Sequence, residues 1–310
     1  PNRSARMKAI VAMATYYSAN KNNAAANAYV VQAAYHSAKL RRAGRDARVG
    51  EWCKNTVGAF DKYRGSEKDV LGTVQADMAA ECDYTVLDER IKKDFDYDAG
   101  HHRYAGVITK IKEAYEKDLG KANELHDQLQ RVITAYGSVK YTVAARARQG
   151  SLYDSCRTGL YNAREPGLQL YTPQEDKTLK LAEESDRDDL IEKADVFRQT
   201  RREQWRATRD KLLADADKVM VKRYVEAVLF AKAGKVRPPS VDFAIQRLAF
   251  FTDILGNARL REYTQGVMDP ATKPPEPFAY TDGLFLRTRP GMTPTLEPDG
   301  LPAPLPVVPQ

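Results

Sequence analysis

The chain has 310 residues, of which 43% are hydrophobic and 29% charged, with a formal net charge of +7 and a pI near 9.1. It is long enough to bury a core, and it has no run of about 18 uncharged apolar residues, so the sequence predicts no membrane span. The basic balance favours an acidic partner because opposite potentials steer association.

The first residues, PNRSARMKAI, lack the apolar stretch of a signal peptide. Because the sequence starts at Pro1 rather than at Met, we expect a processed chain from which a targeting segment has been removed. Import into an organelle is one reason for such a segment.

Helical patterns then follow in chain order. The stretch NAAANAYVVQAAYHSAKLRRAG is rich in Ala and stops at Gly44. Residues 104–141 repeat apolar positions at spacings of three and four, and residues 178–235 continue the pattern as two or more long helices closed by Gly234 and Pro238. No sustained period-two alternation appears, so the sequence predicts an all-α fold.

The composition changes near the C-terminus, where 11 of the 16 prolines lie between Pro270 and Pro309. Prolines interrupt regular elements, and we expect an extended Pro-rich tail. The segment FAYTDGLFLRTRPGM within it is more apolar than a free linker needs. It predicts that the tail lies along a partner or along the chain's own helices; a disordered end is the alternative.

Two similar hexapeptides, AYHSAK at residues 34–39 and AYGSVK at residues 135–140, stand 101 positions apart. Further pairs follow at the same shift, such as Gly58 with Gly159, and they predict two diverged tandem copies of a helical unit of about 100 residues. The predicted divisions are a first repeat with the N-terminal segment, a second repeat, a helical extension and the tail, at residues 1–125, 126–225, 226–265 and 266–310.

One cysteine follows each hexapeptide, Cys53 in GEWCK and Cys156 in GSLYDSCRTGLY. We expect each thiol to follow a Gly turn in an arginine-rich setting, where neighbouring cations lower its pKa and make it a better nucleophile. The nearby basic residues are Arg45, Arg48 and Lys54 for the first cysteine, and Arg146, Arg148 and Arg157 for the second. Buried structural cysteines are the alternative interpretation.

Other chemistry finds little support. Three cysteines leave one unpaired in any disulfide scheme, and the four histidines show no zinc-ligand spacing with them. The segment DFDYDAG starts like a calcium loop, but Ala99 and Ala105 stand where Gly and Glu are required. Phosphate-cradling glycine motifs are absent, and we expect no enzyme activity.

A basic, helical, twice-repeated chain with a cysteine in each repeat resembles the gamma-type rod linkers of red-algal phycobilisomes. The resemblance is carried by AYHSAK and GEWCK, then AYGSVK and SCRTGLY, within residues 25–225. It implies a non-enzymatic linker that sits inside acidic phycobiliprotein α/β hexamers of the phycoerythrin type, contacts other linkers and contributes to light harvesting. It also implies a plastid protein on the stromal side of the thylakoid, with a covalently attached phycobilin, either phycourobilin or phycoerythrobilin.

The resemblance assigns Cys53 and Cys156 as attachment sites, with Cys82 in AAECDYT as a third. The propionates of a bilin pair with cations. The basic candidates are Arg45, Arg48, Lys54, Arg148 and Arg157. Its pyrrole nitrogens need a carboxylate, for which Asp46 and Asp154 are the candidates, with Asp83 beside Cys82 as another.

Two other hypotheses stay open. A chromophore-free structural accessory subunit of a large organellar complex would explain the same helical body. A nucleic-acid scaffold would use KLRRAGRDAR and RQTRREQWRATRDK against phosphates, but both stretches contain acidic residues and fit a solvated helix face, so we expect no nucleic acid partner.

Overall fold

The computed structural model describes residues 3–163, 171–185, 187–265 and 267. Within them lie nine α-helices and no β-strand, which confirms the predicted all-α class. The helices are α1 (Arg3–Asn20), α2 (Asn27–Ala43), α3 (Val49–Ser66), α4 (Val74–Asp94), α5 (Ile108–Tyr136), α6 (Val139–Tyr161), α7 (Pro173–Glu183), α8 (Asp188–Ala233) and α9 (Pro239–Thr264). The predicted Pro-rich tail lies outside the described residues, apart from Val267.

Several helix ends follow from local chemistry. Helix α2 stops at Gly44, as predicted, where the Gly44 N–H donates to the Leu40 carbonyl and the next residue, Arg45, takes a left-handed φ of 54°. Helix α7 starts with a capping box, in which Thr172 and Glu175 each accept from the other's backbone N–H. These caps satisfy amide and carbonyl groups that a helix end leaves unpaired.

Contacts divide the chain into two compact units. Unit 1 comprises the described residues within 1–92, 126–150 and 221–310, and unit 2 comprises those within 93–125 and 151–220. All four boundaries fall inside helices, namely α4, α5, α6 and α8. These boundaries differ from those of the predicted repeats. A division by contacts does not test sequence similarity, so the tandem repeat stays a prediction.

Each unit has its own buried core. In unit 1, helix α2 packs against α1 and α3, and alanines such as Ala34 and Ala76 are fully buried. Small side chains let helix backbones approach closely, which explains why an Ala-rich sequence can form a core here. In unit 2, larger side chains fill the interior, among them Phe95, Tyr115 and Trp205.

The two hexapeptides occupy different local structures in unit 1. AYHSAK lies inside α2, whereas AYGSVK spans the break between α5 and α6, where Gly137 has a φ of 66°. Their tyrosines are both buried, and both donate to carboxylates on α4: Tyr35 to Glu81 and Tyr136 to Asp83, each at 2.9 Å. The similar sequences therefore share a burial pattern and differ in backbone path.

Candidate functional sites: three buried thiols and a basic surface

Cys53 on α3 and Cys82 on α4 lie together in the core of unit 1. Each is 1% exposed, and both belong to one apolar cluster with Ala34, Tyr35, Ala38 and Trp52. The Arg42 guanidinium, at the end of α2, donates to the Cys53 sulfur at 3.8 Å. The structure thus joins a predicted attachment site, Cys53, with the suggested third one, Cys82.

The two thiols of this pair differ in acidity. The Cys82 thiol donates a hydrogen bond to Cys53, which lowers the pKa of Cys53; burial opposes this, and the positive Arg42 adds to the lowering. The same hydrogen bond raises the pKa of Cys82, and burial raises it further. Cys53 is therefore the sulfur that ionises first, and Cys82 is the proton donor beside it.

A carboxylate completes the surroundings of this pair. Glu81 Oε2 accepts from the Tyr35 hydroxyl at 2.9 Å and from the Tyr141 hydroxyl at 2.7 Å. The Arg42 guanidinium lies 3.9 Å from the other Glu81 oxygen. Arg42 therefore lies between a carboxylate and the Cys53 sulfur, and its position is fixed by both.

Cys156 lies on α6 in the core of unit 2, with 0% exposure. Burial raises the pKa of this thiol, and the negative charge of Asp118 raises it further. The Nδ1 of His102 is 3.9 Å from the sulfur. The expectation of an activated thiol therefore fits Cys53 and does not fit Cys156.

Cys156, His102 and Asp118 resemble a catalytic triad in composition only. His102 Nδ1 is 2.7 Å from Asp118 Oδ2, and its Nε2 donates to the Phe95 carbonyl at 2.5 Å. Both ring nitrogens therefore donate to oxygen acceptors, which leaves neither of them to accept the thiol proton as a general base would. Although burial opposes it, hydrogen bonds from His102 and Tyr104 lower the pKa of Asp118.

The predicted Gly turns before the two cysteines are wrong. Gly50 lies within α3 and Gly150 within α6, so Cys53 and Cys156 project from helix interiors toward a packed core. An apolar helix face, rather than a turn, places each thiol. For Cys156 this supports the alternative interpretation of a buried structural cysteine.

The residues predicted to bind a bilin have other partners. Arg148 pairs with Asp88 at 2.8 Å, and Arg157 pairs with Asp217 at 2.6 Å. Asp154 is buried on α6, where the Thr158 hydroxyl donates to it at 3.4 Å. The predicted cations around Cys156 are thus held in ion pairs.

The charged residues predicted to surround Cys53 are more exposed than those around Cys156. Asp46 accepts from Arg41 at 2.6 Å and from the Arg48 backbone at 2.9 Å, and it pairs with the Arg48 side chain. Arg45 and Lys54 are exposed. The backbone and side-chain hydrogen bonds from Arg48 hold the pKa of Asp46 well below its ordinary value.

A thioether to a linear tetrapyrrole needs a sulfur that opens on a groove large enough for four pyrrole rings. None of the three thiols does so, because each is at most 1% exposed. The residues present therefore do not fit an attached phycobilin in this fold.

A strongly basic surface is a feature that the residue patterns predicted only in part, through the stretch KLRRAGRDAR. Residues 1–50 contain nine of the 49 Lys and Arg but one of the 42 Asp and Glu, which gives a net charge of +8. Residues 51–310 are then close to neutral, at −1. Counting charge by segment, rather than over the whole chain, would have found this asymmetry.

The fold of unit 1 brings these charges together. Arg6 on α1 donates to the Ala43 carbonyl at 3.3 Å and lies against Gly44, so the start of α1 meets the end of α2. We define the basic N-terminal surface as five cations near that contact, three at the start of α1 and two between α2 and α3. They are Arg3, Arg6, Lys8, Arg45 and Arg48. Asp46, their one acidic neighbour in residues 1–50, is already shared by Arg41 and Arg48.

Helix α1 adds apolar side chains to this surface. It contains no acidic residue, and Met7 and Val11, one turn apart, are 46% and 59% exposed. Ile10, on the adjoining face, is buried. The exposed face of α1 therefore combines positive charge with two apolar side chains.

Across the described residues, no group of three or more His, Cys, Asp or Glu is arranged to hold a metal ion. No described helix combines the length and apolar character needed to cross a membrane. Comparison with known proteins gave no match to a protein-family model, a curated protein or a solved structure.

Proposed function

We propose that the chain is a non-enzymatic structural subunit of a larger assembly, which binds an acidic protein through the basic N-terminal surface. The observation that carries this proposal is the concentration of net positive charge in residues 1–50. Because the remaining residues nearly balance, an acidic partner is attracted to one segment rather than to the chain as a whole.

The composition of the surface favours a protein over a nucleic acid. Phosphate backbones are bound by cations and hydrogen-bond donors. The exposed face of α1 instead presents Met7 and Val11 beside Arg3 and Lys8. Apolar anchors with a charged rim are typical of protein interfaces, in which Met and Arg are enriched.

The resemblance to phycobilisome linkers suggests a finer form of this proposal, in which the acidic partners are phycobiliprotein hexamers in a plastid. That form also requires covalently attached phycobilins, but the three cysteine thiols are buried and leave no space for them. The chromophore-free subunit is therefore our first proposal. The pigment-bearing linker stays a prediction that an absorption measurement can decide.

The predicted tandem repeat and Pro-rich tail also belong to the finer form. Two diverged helical copies would offer related surfaces to two partners, and an extended tail with apolar side chains would bind along one of them. These features would suit a linker, but the role of the basic surface does not depend on them.

The experiment is to isolate the chain from its source at low and at high salt. We expect a high-mass complex at low salt and release of the chain at high salt, because ions screen exposed charges. Chemical crosslinks to the partner should concentrate on the lysines of residues 1–50, Lys8, Lys21 and Lys39. A free chain at low salt, or crosslinks confined to residues 51–310, would contradict the proposal.

Two further measurements on the same sample distinguish the proposal from the nucleic-acid scaffold and the pigment-bearing linker. Release of the chain by nuclease would favour the nucleic-acid scaffold and contradict the proposal. The visible absorption of the chain under denaturing conditions decides the pigment. A colourless chain of unmodified mass excludes the bilin, whereas a bilin spectrum would support the linker form and require the thiols to open.

A further inference from the structure

We infer that Cys53 and Cys82 form a redox-active pair, which closes to a reversible disulfide between α3 and α4 when a hydroperoxide oxidises it. The inference rests on the packing of the two thiols in one buried cluster and on the guanidinium beside one of them. It is independent of the proposed function.

The geometry supplies a nucleophile and a resolving thiol. Cys53 on α3 and Cys82 on α4 lie in the same buried cluster, and the hydrogen bond between their thiols lowers the pKa of Cys53. We therefore expect the disulfide to form by a change of side-chain rotamers. Thr56 lies one turn after Cys53 on α3, and its hydrogen bond with Cys82 partly offsets the rise in the pKa of Cys82.

The charges distinguish the roles of the two sulfurs. Arg42 donates to Cys53 and stabilises its thiolate, which is the form that attacks a peroxide. Cys82 faces Cys53 and keeps its proton until Cys53 has reacted. Cys53 is therefore the attacking residue, and Cys82 resolves the product.

The chemistry balances as follows. The Cys53 thiolate attacks one oxygen of hydrogen peroxide, the O–O bond breaks, and the leaving hydroxide takes up the proton released by Cys53, which gives water and a sulfenic acid. The Cys82 sulfur then attacks the sulfenic sulfur, the S–S bond forms, the S–O bond breaks, and the Cys82 proton leaves with the hydroxyl as a second water. Two thiols lose two electrons, and one peroxide is reduced to two waters.

Burial sets the speed and the selectivity of the reaction. Each sulfur is 1% exposed, so bulky thiol reagents meet it only after local opening, whereas hydrogen peroxide is small enough to enter during smaller fluctuations. Once Cys53 is oxidised, the adjacent Cys82 is closer than any second peroxide. The disulfide therefore forms in preference to sulfinic acid.

The test treats the full-length reduced protein with hydrogen peroxide and then measures intact mass, disulfide-linked peptides and thiols titrated in denaturant. We expect a loss of two hydrogens, one linked pair joining Cys53 and Cys82, and one remaining thiol of three; dithiothreitol should restore all three. Oxygen addition without a linked pair, or a pair that includes Cys156, would overturn the inference. This result on the wild-type chain does not depend on any variant folding.

Variants assign the roles. C156A, which removes the buried thiol of unit 2, should give the same linked pair as the wild type. C82A should trap Cys53 as a sulfenic acid that dimedone labels, and C53A should remain unlabelled and unlinked. If C53A and C82A take up dimedone equally while retaining the helical circular dichroism of the wild type, the assignment of Cys53 as the attacking sulfur is wrong.

Discussion

Arg157 and Asp217 form a buried ion pair in unit 2, with an Nε to Oδ1 distance of 2.6 Å and 5% exposure on each side chain. The resemblance assigned Arg157 to a bilin propionate, but its cation is already neutralised by a carboxylate of its own chain. Removing one partner of such a pair leaves a charge in a poorly solvated interior, which costs more than the pair contributes.

We predict that Asp217→Asn lowers the free energy of unfolding by about 3–5 kcal/mol, because Arg157 would be left as a buried, uncompensated cation. Urea unfolding followed by circular dichroism measures the change. The control is Asp176→Asn, which breaks the exposed Lys180–Asp176 pair and should change the free energy of unfolding much less, because both charges are well solvated. Equal effects of the two variants would contradict the burial argument.

His126 belongs to a second polar cluster, which lies in unit 1. Its Nε2 accepts from Arg223 at 3.1 Å, and both Arg223 and Arg146 pair with Glu226, at 2.6 and 3.2 Å. Burial lowers the pKa of His126 to about 4, and the positive charge of Arg223 contributes to the shift. The folded chain therefore keeps this ring neutral at pH values where an unfolded histidine is protonated.

The expected consequence is a loss of stability in mild acid. Because the folded pKa is about 4 and the unfolded value 6.5, the unfolded state binds the proton first, and stability falls as the pH drops from 6.5 towards 4. His126→Gln keeps an acceptor for Arg223 and removes the titration. Unfolding at pH 7.5 and at pH 5 should show a smaller loss in this variant than in the wild type; parallel losses would refute the assignment.

At the scale of the helices, Gly58 and Gly159 make a matched comparison, since they are aligned in the predicted repeat. Gly58 on α3 has no neighbour within 4 Å of the position its Cβ would take. A Cβ on Gly159, on α6, would collide with the backbone of His102 and with the Tyr104 ring. One glycine is therefore replaceable, and the other permits close packing.

We predict opposite effects of alanine at these two positions. Gly58→Ala should stabilise the chain by about 0.5–1 kcal/mol, because alanine is the better helix former. Gly159→Ala should destabilise it by about 1–3 kcal/mol through overpacking. Thermal unfolding of both variants provides the measurement. A stabilising effect of Gly159→Ala would contradict the prediction and would show that the backbone around His102 moves to accommodate the added methyl group.

The helices themselves were largely predictable from the sequence. Apolar spacings of three and four gave the long helices, and Gly44, Gly234 and the Pro238–Pro239 pair gave their ends, because these signals act over a few residues. The environment of the thiols was not predictable. That Cys82 contacts Cys53, and that Asp217 neutralises Arg157, depends on packing between helices far apart in sequence.

The two hexapeptides also show how far local sequence predicts structure. AYHSAK and AYGSVK differ at two positions, yet Gly137 in place of His36 accompanies a break between two helices, while His36 lies inside one. A single glycine with positive φ separates the two backbone paths, although both tyrosines are buried. Local similarity therefore indicated burial correctly and gave no information about the chain direction after the motif.

At the scale of the whole molecule, the net charge of +7 is unevenly distributed. Residues 1–50 carry a net charge of +8, and the following 260 residues carry a net charge of −1. Steering depends on where charge stands as well as on its sum, since fields from exposed charges are screened beyond about 8–10 Å at moderate salt. A partner that meets the chain should therefore respond to residues 1–50 and much less to equal changes elsewhere.

We predict that the variant R3Q/K8Q/R45Q lowers the association rate with the acidic partner recovered from the low-salt complex, by about tenfold at low ionic strength, and changes the dissociation rate less. The control R202Q/K211Q/K218Q removes the same charge from exposed positions of α8 in unit 2. Surface plasmon resonance across a salt series distinguishes the two. If the charge of residues 1–50 governs association, the control keeps the wild-type association rate and salt dependence. If the total charge governs it, both variants slow association equally, which would contradict a role for the basic N-terminal surface.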